Sequence, residues 1–397
     1  MIEIQGKYNK AIVFTDVIEE TAKQQVYDLC NQEFLENAKI RMMPDLHAGK
    51  GCTIGTTMTI TDKIVPNFVG VDLGCGMICV QLDVKKEQID FKNLDQVIRK
   101  NIPNGMNVRQ KAHINASEIP FSEVLAPINE GRARVSVGTL GGGNHFIEMN
   151  ESKDGSVYLV IHSGSRNLGK QISEHYQRVA VESLLDNRSE VNRRIAELKA
   201  ANKHDEISNT IREIQSQRPS ISKDMAYVEG ENMENYLHDV HIAQKFAAMN
   251  RQTMAEVICR EMDWDTLSIF DTIHNYVDIE NMILRKGAIS AQAGEIVIIP
   301  MNMRDGSLIC RGKGNPEWNY SGPHGAGRIM SRTQAKREVD ITEFEDTMKN
   351  VWSTSVTKST VDESPFAYKK MEDILKHIGE TVDVLDIIKP LYNFKAS

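Results

Sequence analysis

Residues 41–83 break their apolar residues into short runs parted by glycines, first in GCTIGTTMTI and again in IVPNFVGVDLGCGMICVQLDV. Glycine is costly inside a helix and β-branched residues favour a pleated surface, so this segment predicts a small, tightly turned sheet region. Residues 170–261 follow the opposite rule, with apolar residues at helical spacing over almost their whole length. Within them, 184–216 intersperses Arg and Lys with Asp and Glu, the pattern of a solvated helical hairpin rather than of a binding tail. An amphipathic helix is expected at 18–37, strands at 156–162, 266–273, 282–290, 295–300 and 307–311, and a helix followed by a short strand at 367–390. No internal repeat or low-complexity linker divides the chain. The expected fold class is therefore α+β: one mixed α/β domain over residues 1–397, with 170–261 as a helical insertion.

The net charge of −8 supplies no general attraction to nucleic acid, so any such partner must be held by a local basic site. Cys30, Cys52, Cys75, Cys79, Cys259 and Cys310 include no CxxC pair, which suits a reducing compartment and small buried thiols. No apolar run is long enough to cross a bilayer, and the start MIEIQGKYNKAIVF lacks the regions of a signal peptide. The expected location is the cytoplasm, with no membrane partner.

Five motifs carry chemistry. VGVDLGCGM sets Asp72 and Cys75 among glycines at the end of an apolar strand, where a carboxylate and a thiol can meet at a transition metal. A capped strand-end turn with a buried cysteine reads equally well from this motif alone. GTLGGGNHFIEM places Asn144, His145 and Glu148 after a glycine-rich turn whose amides could receive phosphate oxygens. LVIHSGSRNLG ends a strand at His162 and opens into Ser163, Ser165 and Arg166, and a guanidinium there could clamp a phosphate or pair with a carboxylate. FDTIHNYV brings His274 and Asn275 to the end of another apolar run. SGPHGAGRIMSR sets His324 inside a glycine loop that leads toward a helix, as a turn residue, phosphate hydrogen bonder, metal ligand or nucleophile. His175, His204, His238, His241 and His377 lie in polar helical surroundings, and the His238/His241 pair has no third ligand nearby. The inventory suits a two-metal phosphoryl-transfer site better than an ordinary NTPase or dehydrogenase, since neither GxxxxGK[ST] nor a Rossmann GxGxxG is present.

MPDLHAGKGCTIG, VGVDLGCGM, GTLGGGNHFIE, HSGSR, HNYV, RKGAISAQAG, HGAGRIMSR and DESPFAYK follow one another along nearly the whole chain. In that series the chain resembles the RtcB family of RNA ligases. The resemblance implies central mixed sheets around a buried metal site. It implies that Asp72, Cys75, His145, His162 and His274 bind two Mn²⁺ ions, with Cys75 bridging, and that His324 is the nucleophile that becomes guanylylated. GTP contacts would come from Asn144, His145, Glu148, His274, Asn275, Ser307, His324, Gly325, Ala326, Gly327, Tyr368 and Lys395, with Arg166 on the RNA phosphate. Asp45 and His47 would stand behind these residues. PMNMRDG (300–306) puts Asn302 where the family commonly has a nucleotide-facing serine, and adds Arg304 and Asp305 to that wall.

The implied activity is a GTP- and Mn-dependent joining of RNA 3′-phosphate or 2′,3′-cyclic phosphate ends to 5′-hydroxyl ends through an RNA(3′)pp(5′)G intermediate. RNA repair or tRNA splicing would use it, on tRNA or rRNA, with a monomer as the expected state and an activating protein partner left open. The runner-up is a metal-dependent RNA-end phosphatase or cyclic phosphodiesterase that never ligates. A non-catalytic RNA-binding paralogue would have no need of His324.

Overall fold

A computed structural model describes residues 1–186, 188–216 and 221–395, so parts of the charged helical stretch and the last two residues of the FKAS terminus lie outside it. Among the described residues twelve strands join in one sheet. Its order runs Ile2–Gln5, Lys10–Val13, Ile40–His47, Ile54–Thr59, Ile283–Lys286, Thr266–Asp278, Cys75–Leu82, Val157–Ser163, Phe146–Glu151, Val382–Lys395, Gly306–Gly312, Ile296–Asn302. Every pairing is antiparallel except that of Lys10–Val13 with Ile40–His47, so the sheet is mixed, as expected for the fold class. No helix is long and apolar enough to cross a membrane among the described residues.

The 41–83 region does not close into a small sheet of its own. Ile54–Thr59 pairs with Ile40–His47, but Cys75–Leu82 lies between Thr266–Asp278 and Val157–Ser163. The reason is burial: Cys75–Leu82 is apolar on both faces and buried almost throughout, so it needs distant strands on both edges and cover above and below. One cover is the helix Gly230–Met262, about 50 Å long at 1.5 Å per residue, whose Met254, Val257 and Ile258 pack on Ile78, Val80, Ile147, Leu159 and Ile161. The other cover is the far end of the sheet itself. Ile298, Ile309 and Ile388 fold back over Met77, Cys79 and Val160. That turn is made by Val382–Lys395, whose ladder slips at Pro390, a residue that cannot donate to it. The strand expected to be short is thus 14 residues long, because it serves both layers.

Helices occupy Arg166–Leu185, Arg188–Ala200, Ile207–Ser216 and Gly230–Met262, matching the helical reading of 170–261 with a start a few residues earlier. The first helix is shorter than its 18–37 expectation. It stops at Cys30, where Asn31 donates its amide to Tyr27 O and accepts from Lys7 N, and a 3₁₀ turn at Glu33–Leu35 follows.

Candidate active site

Four adjacent strands deliver one candidate ligand each at the same end of the sheet. Cys75 opens its strand rather than ending one, after a turn in which Gly74 sits at φ +72°. A Cβ on Gly74 would come within 2.9 Å of Gln244 Cα on the long helix, so the turn requires glycine. His162 stands opposite Met77 on one neighbouring strand, and Phe146, directly after His145, stands opposite His162 on the next. On the other side, Ile273 pairs with Gly76 and Asn275 with Cys75, leaving His274 as the extra residue of a bulge. His274 therefore lies inside Thr266–Asp278 rather than at the end of its run, and the bulge re-aims its ring toward His162.

The result is a row of donor atoms. Asp72 Oδ2 lies 3.0 Å from His145 Nε2, which is 3.5 Å from Cys75 Sγ. Sγ is 3.3 Å from His162 Nε2, and that atom is 3.3 Å from His274 Nε2. The ring of His324 follows, its centroid 5.0 Å from that of His274. His145 Nδ1 faces Leu140 O at 2.8 Å and His162 Nδ1 faces Asn144 O at 3.2 Å. A carbonyl only accepts, so each Nδ1 carries a proton and each Nε2 is the nitrogen turned toward the row. Burial and the neighbouring imidazoles hold His162 well below the usual histidine range, and burial with the Asp72 carboxylate pushes the Cys75 thiol well up. His274 Nδ1 is buried without a hydrogen-bond partner among the described residues. Cys75, His145 and His162 hold their donor atoms within 4.8 Å of one another, and with Asp72 and His274 at the two ends of the row the mixed S/N/O donor set fits a divalent transition metal. Asp72 is held from behind by Ser165 N on Oδ1 at 3.0 Å, with Gly164 so close that a Cβ would meet Oδ1 at 2.1 Å.

His324 is aimed by Asp45. The fully buried Asp45 carboxylate accepts through Oδ2 from His324 N at 3.1 Å and Gly325 N at 3.2 Å, and meets His324 Nδ1 at 2.6 Å. Nδ1 is therefore the protonated nitrogen and Nε2 is free. Lys369 donates to Pro44 O at 3.0 Å and Leu46 O at 3.4 Å, bracing the backbone on both sides of Asp45. The glycine loop does not end in a helix as its sequence suggests: it follows the strand Ser321–Pro323, and the next helix starts only at Arg332. Its anion-binding capacity thus rests on loop amides and side chains rather than on a helix terminus.

His162, His274 and His324 border a cavity of about 270 Å³ that also takes in Asn144, Glu148, Asn302, Ser307, Gly325, Ala326, Gly327, Tyr368 and Lys395. Asn275 does not border it; its side chain accepts from Gly287 N at 2.8 Å, and Gly287 packs against His324. Arg166 also lies outside it, with a left-handed backbone at φ +58° and its Nη2 on Gly105 O at 2.9 Å. Asn302 reaches the cavity wall but spends its side chain inside its own turn, donating to Asp305 Oδ2 at 2.8 Å and accepting from Arg304 N and Asp305 N. His47 borders the cavity, while His238 joins no ligand cluster among the described residues.

A family model described as tRNA-splicing ligase RtcB matches residues 25–132 and 122–396. The chain belongs to the RtcB family. It is 31% identical to the RNA-splicing ligase RtcB of Escherichia coli K12, over 93% of this chain and 92% of that one. It is 26% identical to the tRNA-splicing ligase RtcB of Aeropyrum pernix, over 84% and 82% of the two chains, and 24% identical to that of Thermococcus kodakarensis, over 85% and 83%.

The structure adds to this RtcB chain a residue that sequence reasoning passed over. Glu363 is 3% exposed and accepts from Lys395 Nζ at 2.6 Å and Tyr368 Oη at 2.8 Å, with Arg332 at 2.9 Å and Arg328 at 3.3 Å. Burial pushes its carboxyl up, but Lys395 and Arg332 outweigh that and bring it down to about 2. Arg328 and Arg332, which also border the cavity, direct their guanidinium groups to this hub, and the Arg332 side chain stays partly exposed. The one signal in the sequence was the acidic pair opening DESPFAYK. Glu148 is the opposite case: burial pushes its carboxyl up to about 7, although Asn393 Nδ2 donates to it at 2.7 Å.

Proposed function

We propose that this chain is a GTP-dependent RNA ligase that seals RNA 3′-phosphate or 2′,3′-cyclic phosphate ends to 5′-hydroxyl ends, in RNA repair or tRNA splicing. The observation that carries the reading is the pinned His324 ring beside the donor row: Asp45 holds the proton on Nδ1, so the Nε2 lone pair is ready for attack. Two Mn²⁺ ions bound by Asp72, Cys75, His145, His162 and His274 would neutralise charge on the phosphate oxygens, and the central place of Cys75 in the row suits a bridging thiolate.

The chain's own residues then do the following. His324 Nε2 attacks the α-phosphorus of GTP; a P–N bond forms, the P–O bond to the β-phosphate breaks and pyrophosphate leaves. Asp45 stabilises the positive charge that develops on the ring through its contact to Nδ1. An oxygen of the RNA 3′-phosphate next attacks the same phosphorus, breaking the P–N bond and returning the lone pair to Nε2. Finally the 5′-hydroxyl oxygen attacks the RNA phosphorus, loses its proton, and GMP departs with the electrons of the bond it leaves. A cyclic phosphate end enters after water opens it at the 2′ oxygen. Asn144, Glu148, Ser307, Tyr368 and Lys395 are the proposed nucleotide contacts along the cavity, with Asn275 acting through Gly287. Arg166 is the proposed contact for the RNA phosphate.

The test is incubation with α-³²P-GTP and Mn²⁺, followed by denaturation. A label that is acid-labile and base-stable, present in the wild type and absent from His324→Ala, is the expected result. Wild-type protein without label would overturn the ligase reading. If that protein still opened cyclic phosphates, the phosphatase reading would take its place, which the engagement of Asn302 within its own turn favours.

A further inference from the structure

We infer that Asn250 and Arg251, two consecutive buried residues of the long helix, are positioning residues that set the geometry of the metal-ligand row. The inference rests on the metal reading of that row and goes beyond it, because neither residue can itself ligate a cation through the atoms it commits here. Both side chains are fully buried. Arg251 donates from Nη1 to Gly74 O at 2.8 Å and to Ser163 O at 2.9 Å, and from Nε and Nη2 to the two oxygens of Asp271 at 2.6 and 2.5 Å. Gly74 O belongs to the turn between Asp72 and Cys75, Ser163 follows His162, and Asp271 lies three residues before His274 on the same strand.

Asn250 reaches the remaining segment. Its Oδ1 accepts from Gly138 N at 2.8 Å and Thr139 N at 2.9 Å, on the loop that leads to His145. Its Nδ2 donates to Thr139 O at 3.0 Å and to Ser163 Oγ and Gly164 O at 3.1 Å. All four ligand-bearing segments are thus tied to one turn of one helix. Gln244 joins them by accepting from Val277 N at 3.0 Å.

Two general points favour a positioning role over a purely stabilising one. A fully buried guanidinium is a poor source of stability, since its desolvation offsets most of what its partner returns. The planar fork, however, fixes direction at several acceptors at once, which a flexible ammonium does not. Metal ligands in turns have no ladder of their own to hold them, so their spacing depends on such ties.

The experiment is titration of the full-length protein with Co²⁺, followed by the thiolate charge-transfer and d–d absorption bands, on the wild type, Arg251→Lys and Asp271→Asn. Circular dichroism establishes folding. Asp271→Asn keeps every ligand and keeps Arg251, and its side chain is about one third exposed, so it tests the clamp if Arg251→Lys does not fold. The expected result is a loss of about 10- to 100-fold in Co²⁺ affinity with shifted d–d bands in a folded variant. A folded variant with wild-type affinity and wild-type bands would overturn the positioning role. A wild type that binds no Co²⁺ would instead overturn the metal reading beneath it.

Discussion

Asp45→Asn isolates the role of the carboxylate behind His324. Two backbone amides, His324 N and Gly325 N, point at Asp45 Oδ2, and both need an acceptor. An asparagine must therefore turn its amide oxygen toward them, and that oxygen also meets Nδ1, so the ring keeps the tautomer with Nε2 free. What is lost is charge. A hydrogen bond to an ionised group contributes roughly 1.5–3 kcal/mol against about 1 kcal/mol for a neutral one. The difference of about 1.5 kcal/mol corresponds to on the order of tenfold in the rate of guanylylation. Had the tautomer inverted, the loss would be nearer 10⁴-fold, as when the orienting carboxylate of a catalytic triad becomes an amide. The assay is single-turnover transfer of label from α-³²P-GTP to the protein at saturating Mn²⁺. A rate indistinguishable from wild type would refute the role given to Asp45, and a loss of four orders of magnitude would refute the argument from the two amides.

Glu148, whose folded carboxyl is raised to about 7 by burial, binds a proton more tightly folded than unfolded. Its contribution is fully present below about 4.5 and is lost as pH rises through 7, an upper limit of about 3 kcal/mol. Glu148→Gln should accordingly gain stability over wild type at pH 8 and not at pH 4, read by urea titration without nucleotide; equal stabilities at both pH values would contradict this. Cys75 must lose its proton to bind metal while His162 and His274 are already neutral, so divalent-cation affinity should rise about tenfold per pH unit between pH 6 and 8. Calorimetry in buffers of different ionisation enthalpy should count at least one proton released, and a pH-independent affinity would speak against a thiolate ligand. Cys75→Ala should abolish both metal binding and GTP labelling, with retained labelling as the contrary outcome. Glu363→Gln should loosen Lys395 and Tyr368 together and raise the KM for GTP in labelling more than it lowers the maximal rate, and a change confined to the rate would argue that the hub serves the chemistry instead.

By itself the sequence determined the class of fold and most of the candidate chemistry. Apolar period and glycine punctuation are local properties, and they sufficed to separate the sheet-forming segments from the long helical stretch. The residues Asp72, Cys75, His145, His162, His274 and His324 were legible because each sits in a short motif beside a glycine or an apolar run, and the resemblance carried by the ordered series of motifs supplied their roles. Register was not legible. That Cys75–Leu82 lies between strands from residues 157 and 266 onward, and that a bulge turns His274 toward the row, depends on pairings across the whole chain. The same limit hid the Glu363 hub and Arg251 among the apolar residues of its helix, and it left Asp45, which the resemblance set behind the site, without its partner His324. A buried polar residue declares its purpose only through its partner, and these partners lie on segments remote in sequence that only the packed sheet brings within hydrogen-bonding distance.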